Sequence, residues 1–297
     1  MASRIALVTG CSSGIGLVTA QRLAQRAKEP LIVYATMRNM SKKDQLEAAA
    51  GNTLNKTLFI RELDVTKEKT IVETVSHILD THGQIDVLVN NAGISGINIA
   101  EVTSISTFKK MFDVNFFGVV RMTQEVIPHM KGRRSGRIIN ISSLSGIMGV
   151  MFYDMYGSTK FALEGFSECL AMSLRHSNVW VSNVQPGPVE TDVLTNPDVS
   201  DVLREQMDDP RVDEKTREMY RMIWKRRETM LTVAGGAQTA SEIVDVVEVA
   251  VDSERPHLRY QTSEKSRKLA AERFKQGSPW FKDPSGDDVT GDYFLNS

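Results

Sequence analysis

Cysteine is scarce. Only Cys11 and Cys169 occur in 297 residues, far apart in the chain. That excludes a disulfide scaffold and fits a reducing compartment. Long apolar runs are missing too. Nothing approaches the ~18 uninterrupted apolar residues of a membrane span, and the first residues have no signal-peptide character. Charge of one sign is also lacking: 36 Lys and Arg stand against 37 Asp and Glu, a formal net charge of −1. So balanced a chain has no electrostatic footprint for nucleic acid. The expectation is a protein of the cytosol with no nucleic-acid partner and no metal site. The glycosylation-like triplets from Asn39, Asn55 and Asn140 then read as chance matches.

Repeats and low-complexity linkers are absent as well. What is present is alternation. Arg4–Thr9, Leu31–Met37, Thr57–Leu63, Ile85–Val89, Arg137–Ser142 and Val179–Gln185 are short apolar runs. Between the first four lie helical patterns over Ile15–Lys28, Ser41–Ala50 and Lys67–His82. This rhythm predicts an α/β fold with a doubly wound parallel sheet of about seven strands and helices on both faces. The expected organisation is one domain over 1–297. Residues 1–190 would form the cofactor-binding core with the catalytic groups. Residues 191–240 break the rhythm, with Met207, Met219, Met222, Trp224 and Met230 among many charges. They read either as amphipathic surface helices or as a helical lid that adapts to an apolar substrate. Residues 241–297 would hold a helix over Ser241–Ser253, a last strand over His257–Thr262 and a polar tail.

The first strand runs into Thr9-Gly10-Cys11-Ser12-Ser13-Gly14-Ile15-Gly16, and a helix follows at once. Glycines permit a tight turn and let backbone approach a pyrophosphate. The new helix offers free N–H groups and the positive end of its dipole. The second strand ends in Met37-Arg38-Asn39 with no carboxylate. A carboxylate there would take the ribose hydroxyl of NAD, whereas Arg38 suits a 2′-phosphate by charge and donor geometry. The expected cofactor is NADP(H). Asp64, beside Val65 at the third strand's end, would accept from an adenine amino group or else cap the following helix. Asn91, Ala92 and Gly93 follow the fourth strand, where small residues let backbone pass close to a ribose.

Tyr156 and Lys160 are four apart in a helical segment and so share a face. Carbonyl reduction needs an acid and alcohol oxidation needs a base, and a neighbouring ammonium lowers a phenol's pKa. Ser143 ends the fifth strand, where its hydroxyl could hold the substrate oxygen. Asn115 lies mid-helix and could anchor a water behind Lys160. Lys160 could equally pair with Glu164.

Together these residues resemble the short-chain dehydrogenase/reductase family. The matching stretches are Thr9-Gly10…Gly14-Ile15-Gly16, Asn90-Asn91-Ala92-Gly93, Asn115, Ser143, Tyr156/Lys160 and Pro186-Gly187-Pro188-Val189-Glu190-Thr191. The resemblance implies Tyr156 as acid/base and Ser143 as the group orienting the substrate. It implies Lys160 on the nicotinamide ribose, lowering the tyrosine pKa, and Asn115 in a proton relay. Thr191 would lie near the nicotinamide carboxamide, and Val189 would touch the cofactor. Dimer faces in this family often use long helices such as Ile105–Met130 and Tyr156–Arg175, which implies a homodimer.

Within the family, Tyr34–Arg38, Leu46–Gly51, Asn115–Gly118 and Lys160–Phe166 resemble the branch acting on retinoids and steroids. The implied partner is a lipophilic carbonyl or alcohol, all-trans-retinal before estrone. Two departures bear on this. Tyr153 stands in Phe152-Tyr153-Asp154, where the branch tends to have Phe-Asn-Asp, so it reshapes the pocket wall. The lid stretch Thr216–Tyr220 has no histidine to meet a steroid's far hydroxyl. An alternative of another class is a catalytically idle NADP(H)-binding scaffold or sensor on the same fold. Lys215–Arg227 and Lys265–Lys275 are basic and partly amphipathic. They read as solvated helix faces or as a surface resting on lipid, a peripheral membrane association. Fluorescence titration checks the cofactor reading: NADPH binds more tightly than NADH, and tighter NADH binding contradicts the role given to Arg38.

Overall fold

The computed structural model describes residues 3–189 (apart from Lys28 and Pro30), 205–222 and 237–273. Seven parallel strands form one sheet in the order β3-β2-β1-β4-β5-β6-β7. They are β1 (Ile5–Val8), β2 (Ile32–Met37), β3 (Leu58–Glu62), β4 (Val87–Asn90), β5 (Gly136–Ile141), β6 (Val179–Gln185) and β7 (Arg259–Gln261). Every residue of β1 and β4 is buried. Both faces of these strands are covered, which explains their unbroken apolar runs. Along β1, Ala6 and Val8 enter one core and Ile5 and Leu7 the other, as the two-residue period of a strand requires.

The first core lies under α1 (Gly14–Gln25), α2 (Asp44–Ala50) and α7 (Ala240–Asp252), with Leu23, Leu46 and Val247 fully buried. The second lies under α3 (Glu68–His82), α5 (Gly118–Arg133) and α6 (Asp154–Leu174), with Ile78, Met122 and Leu174 inside. Burying each such side chain contributes ~1.5–3 kcal/mol. The last helix among the described residues, α8 (Glu264–Arg273), packs Leu269 and Ala270 on Leu144, Ile147 and Met148. That spends the apolar side of the basic Lys265–Lys275 segment, as far as residue 273, on the protein itself. No helix among the described residues is long and apolar enough to cross a membrane. None of them forms a His, Cys, Asp or Glu cluster that could hold a metal.

Two expectations of helix extent need correction. The helix expected over Ile105–Met130 is divided into α4 (Ile105–Phe112), a π-helical turn over Asp113–Phe117, and α5. The extra residue of a π turn re-aims the side chains that follow, and Asn115 is thereby buried. The helix expected over Ser41–Ala50 begins as a separate 3-10 turn, Met40–Lys42. Asn39 caps it by accepting from the Ser41 N–H. In the lid, residues 205–208 and 214–222 are helical. Val212 and Tyr220 pack on Ile99 and Phe152. Thr191, Trp224 and Met230 lie outside the described residues. The insertion's two ends meet where Gln238 N–H donates to the Pro188 carbonyl at 2.9 Å, beside the Val189–Gln238 bridge.

The order reverses between β1 and β4, where open α/β sheets bind ligands. Hydrogen bonds hold the two strand ends together. Thr9 Oγ1 accepts from the Asn91 and Ala92 N–H groups, both at 3.0 Å. Asn91 Nδ2 donates to the Thr9 and Gly10 carbonyls at 2.9 and 3.0 Å. Thr9→Val keeps the shape and strips two amides of their acceptor. It lowers unfolding free energy by about 2 kcal/mol or more, readable by urea denaturation, and an unchanged midpoint contradicts this.

Candidate active site

The glycine turn is shaped by close approach. Gly10 has φ +72°, and a Cβ there would meet the Ala92 Cα at 2.7 Å. On Gly16 a Cβ would lie 2.3 Å from Asn91 Nδ2 and 2.4 Å from the Gly10 oxygen. Gly14 has φ +59° and open space where its Cβ would be. Ser13 precedes α1 with no side-chain cap, and the helix's first turn contains no acid. Ser12 is half-buried beside it, and Ile15 packs into the first core. A wide, uncapped, positive helix end is a cradle for a pyrophosphate.

Arg38 is exposed just beyond β2. Asp64 is held by its own turn, with Oδ1 accepting from the Thr66 N–H and hydroxyl at 3.0 and 2.7 Å. Its burial favours the neutral acid, but the Thr66 bonds and the charges of Lys67 and Arg38 outweigh that and hold the carboxyl below its usual range. Val65 is buried against Gly118, where a Cβ would come within 2.8 Å of Val65 Cγ2. Gly93 packs near Asn115, whose Oδ1 would lie 3.4 Å from a Cβ there. Val189 sits at the bridge to Gln238.

On the other side of the strand ends stand the hydroxyls. Ser143 lies two residues past β5 with its Oγ accepting from the Ser145 N–H at 3.1 Å. Its hydroxyl is near enough to the Tyr156 hydroxyl of α6 to favour the phenolate. Asn98 braces this end of α6: it donates its N–H to the Phe152 carbonyl and accepts from the Met155 N–H. Phe152 has φ +63°, an uncommon conformation for an aromatic residue. Its ring meets Tyr220 of the lid edge-on at 5.4 Å. Tyr153 stands edge-on to Tyr156 with centroids 6.0 Å apart.

Lys160 differs from expectation. Its Nζ donates to the Ile141 carbonyl at 2.8 Å and lies 5.6 Å from the Tyr156 ring centroid. The charge sits over the ring face rather than at the phenol oxygen. Burial pushes Tyr156 up to about 12, against the nearby Ser143 hydroxyl, which favours its phenolate. The expected lowering by Lys160 is therefore not present in this arrangement. Burial also pulls Lys160 down to about 8, opposed by the Glu164 charge. Asn115 is committed to structure: it accepts from Ile94 N–H and donates to the Ile94 carbonyl and Thr159 Oγ1. Both its amide protons are used.

Sequence reasoning missed Thr9, Asn98 and the partner of Glu164. That carboxylate pairs not with Lys160 but with Arg259 of β7, at 2.9 Å. Thr9 had a signal, a β-branched hydroxyl next to the first glycine. The other two depend on residues far off in the chain.

A Rossmann-type sheet with a glycine turn and a Ser–Tyr–Lys set defines a nicotinamide-dependent dehydrogenase. A profile described as short chain dehydrogenase matches residues 4–199. The chain belongs to the short-chain dehydrogenase family and is an oxidoreductase of alcohols and carbonyls. It is 41% identical to retinol dehydrogenase 8 of Homo sapiens over 262 residues, covering 88% of this chain and 82% of that one. It is 36% identical to 17-beta-hydroxysteroid dehydrogenase type 1 of Homo sapiens over 292 residues, covering 96% and 83%. Among solved structures it is similar to a variant actinorhodin polyketide ketoreductase with NADPH, at TM-score 0.71 and 29% identity, covering 87% and 95%.

In an ultraviolet difference titration of the cofactor-free protein, Tyr156→Phe removes one tyrosine that ionises at about pH 12. A missing tyrosine that ionises below the ordinary ~10 contradicts this electrostatic account.

Proposed function

We propose that the chain reduces a long lipophilic carbonyl, all-trans-retinal foremost, to its alcohol with NADPH. The observation that carries this is the Ser143 hydroxyl brought beside Tyr156, with the Lys160 ammonium over the Tyr156 ring. A phenol held at about 12 is protonated at neutral pH, so it is set to donate. Tyr156 gives its proton to the substrate oxygen, and Ser143 holds that oxygen as charge develops. NADPH, when bound, supplies the hydride. The uncapped start of α1 would hold its pyrophosphate and Arg38 its 2′-phosphate; Asp64 and Asn91–Gly93 would border the adenosine. Val189 and Thr191 would flank the nicotinamide. Asn115 has little left in its side chain for a water, so a relay through this residue would use its main chain.

The retinoid preference has support beyond relatedness. Thr216 bonds to Asp213, and Arg217 donates to the Met207 and Asp209 carbonyls. Tyr220 is buried against Phe152. These side chains of the lid stretch are spent within the protein, which disfavours a steroid's far hydroxyl. Estrone reduction is the second reading, favoured by the 36% identical steroid enzyme. An idle cofactor-binding scaffold is not favoured by any observation. Phe117, ending the π turn, and Phe161 of α6 are half-exposed, and Phe116 meets both Phe117 and Phe166, which supports homodimerisation there. A cytosolic location with peripheral contact to lipid completes this reading, and vesicle co-sedimentation tests it.

A turnover panel with NADPH decides the substrate: all-trans-retinal is reduced faster than estrone or a small aldehyde. Tyr156→Phe lowers kcat at least ~100-fold and leaves NADPH binding nearly intact. Estrone as the best substrate contradicts the retinoid assignment, and substantial turnover by Tyr156→Phe removes that residue from its role.

A further inference from the structure

A buried carboxylate stands one helical turn beyond Lys160. Glu164 is 4% exposed. Its Oε2 accepts from Arg259 Nε at 2.9 Å, and Arg259 Nη2 continues to exposed Glu168 at 2.7 Å. Its Oε1 is buried and has no hydrogen-bond partner. The turn after β5 is pressed onto this place. A Cβ on Gly146 would lie 3.0 Å from Glu164 Cγ, 3.0 Å from the Lys160 oxygen and 3.1 Å from Ser142 Oγ. A half-satisfied buried ion pair is a poor way to stabilise a fold, since apolar residues of similar volume do as well or better. Its charge therefore calls for another account, and the nearest buried cation along the helix is Lys160.

We propose that Glu164, clamped by Arg259, is a positioning residue that keeps the Lys160 ammonium charged and directed at the Ile141 carbonyl beneath Tyr156. The proposal rests on Lys160 acting in the reaction proposed above. Few other charges compete. On α6 itself only Tyr156 and Glu164 neighbour Lys160 at one-turn spacing. Among the elements packed on α6, α4 carries exposed Lys109 and Lys110. The π turn brings Asp113, which is held by Arg121. Arg175 and His176 lie beyond the far end of α6, and Arg137 lies at the opposite end of β5. Burial alone drives Lys160 toward the neutral amine; Glu164 is the charge that opposes it.

Carbonyl reduction needs Tyr156 protonated and Lys160 charged. Lys160 titrates near 8 and Tyr156 near 12. Lys160 therefore sets the alkaline limb of kcat/KM for NADPH, which reports the free enzyme. Glu164→Gln shifts that limb down by about one pH unit. Glu164→Asp keeps the charge and leaves the limb near its wild-type position, although both variants melt at lower temperature. Arg259→Met, which frees the carboxylate's field, shifts the limb up and decides the matter if Glu164→Gln does not fold. A merely structural Glu164 would lower melting temperature in these variants and leave every limb in place, and that result overturns the proposal. Lys160→Met separates the two levels. Full turnover there overturns the catalytic reading itself; an inactive Lys160→Met beside unmoved limbs overturns only the role of Glu164.

Discussion

Lys160 is almost fully enclosed, and a buried ammonium must find partners or lose its proton. Its Nζ donates to the Ile141 carbonyl, which ties α6 to the end of β5. That tie sets the distance between the helix carrying Tyr156 and the strand end carrying Ser143. It also places the cation over the phenol's ring face rather than its oxygen. Desolvation around Tyr156 likewise holds its phenol as a neutral donor.

The sheet explains why this pair stands beside a cofactor cradle. The strand order turns back between β1 and β4, so the loops leaving these strands diverge and open a crevice. Thr9 and Asn91 cross-brace its two rims. Gly10 and Gly16 let the rims come close enough to be braced, and any side chain there would strike backbone. Cofactor binding and sheet topology thus depend on the same few hydrogen bonds.

Much of this was legible in the sequence, for a physical reason. Buried parallel strands need continuous apolar runs, and all six runs became strands within a few residues of their expected limits. The glycine turn and the Tyr156/Lys160 spacing are local patterns, so they could be read locally. The π turn at Asp113–Phe117 was not legible, because its sequence is helical and only packing against Ile94, Thr159 and Val65 shifts the register. The direction of the Tyr156 shift was misjudged because spacing shows a neighbour's charge but not where the charge points or how much water is excluded. The Glu164–Arg259 pair spans 95 residues, and no local pattern announces it.

The account's central claim is hydride transfer from a nicotinamide to a lipophilic carbonyl, with the proton coming from Tyr156. The most direct test is a single turnover of all-trans-retinal with NADPH carrying deuterium at the transferable position of its nicotinamide ring. The account predicts retinol labelled at the carbinol carbon with the wild-type protein, and no labelled product with Tyr156→Phe. Unlabelled retinol, or equal labelling by both proteins, would contradict it.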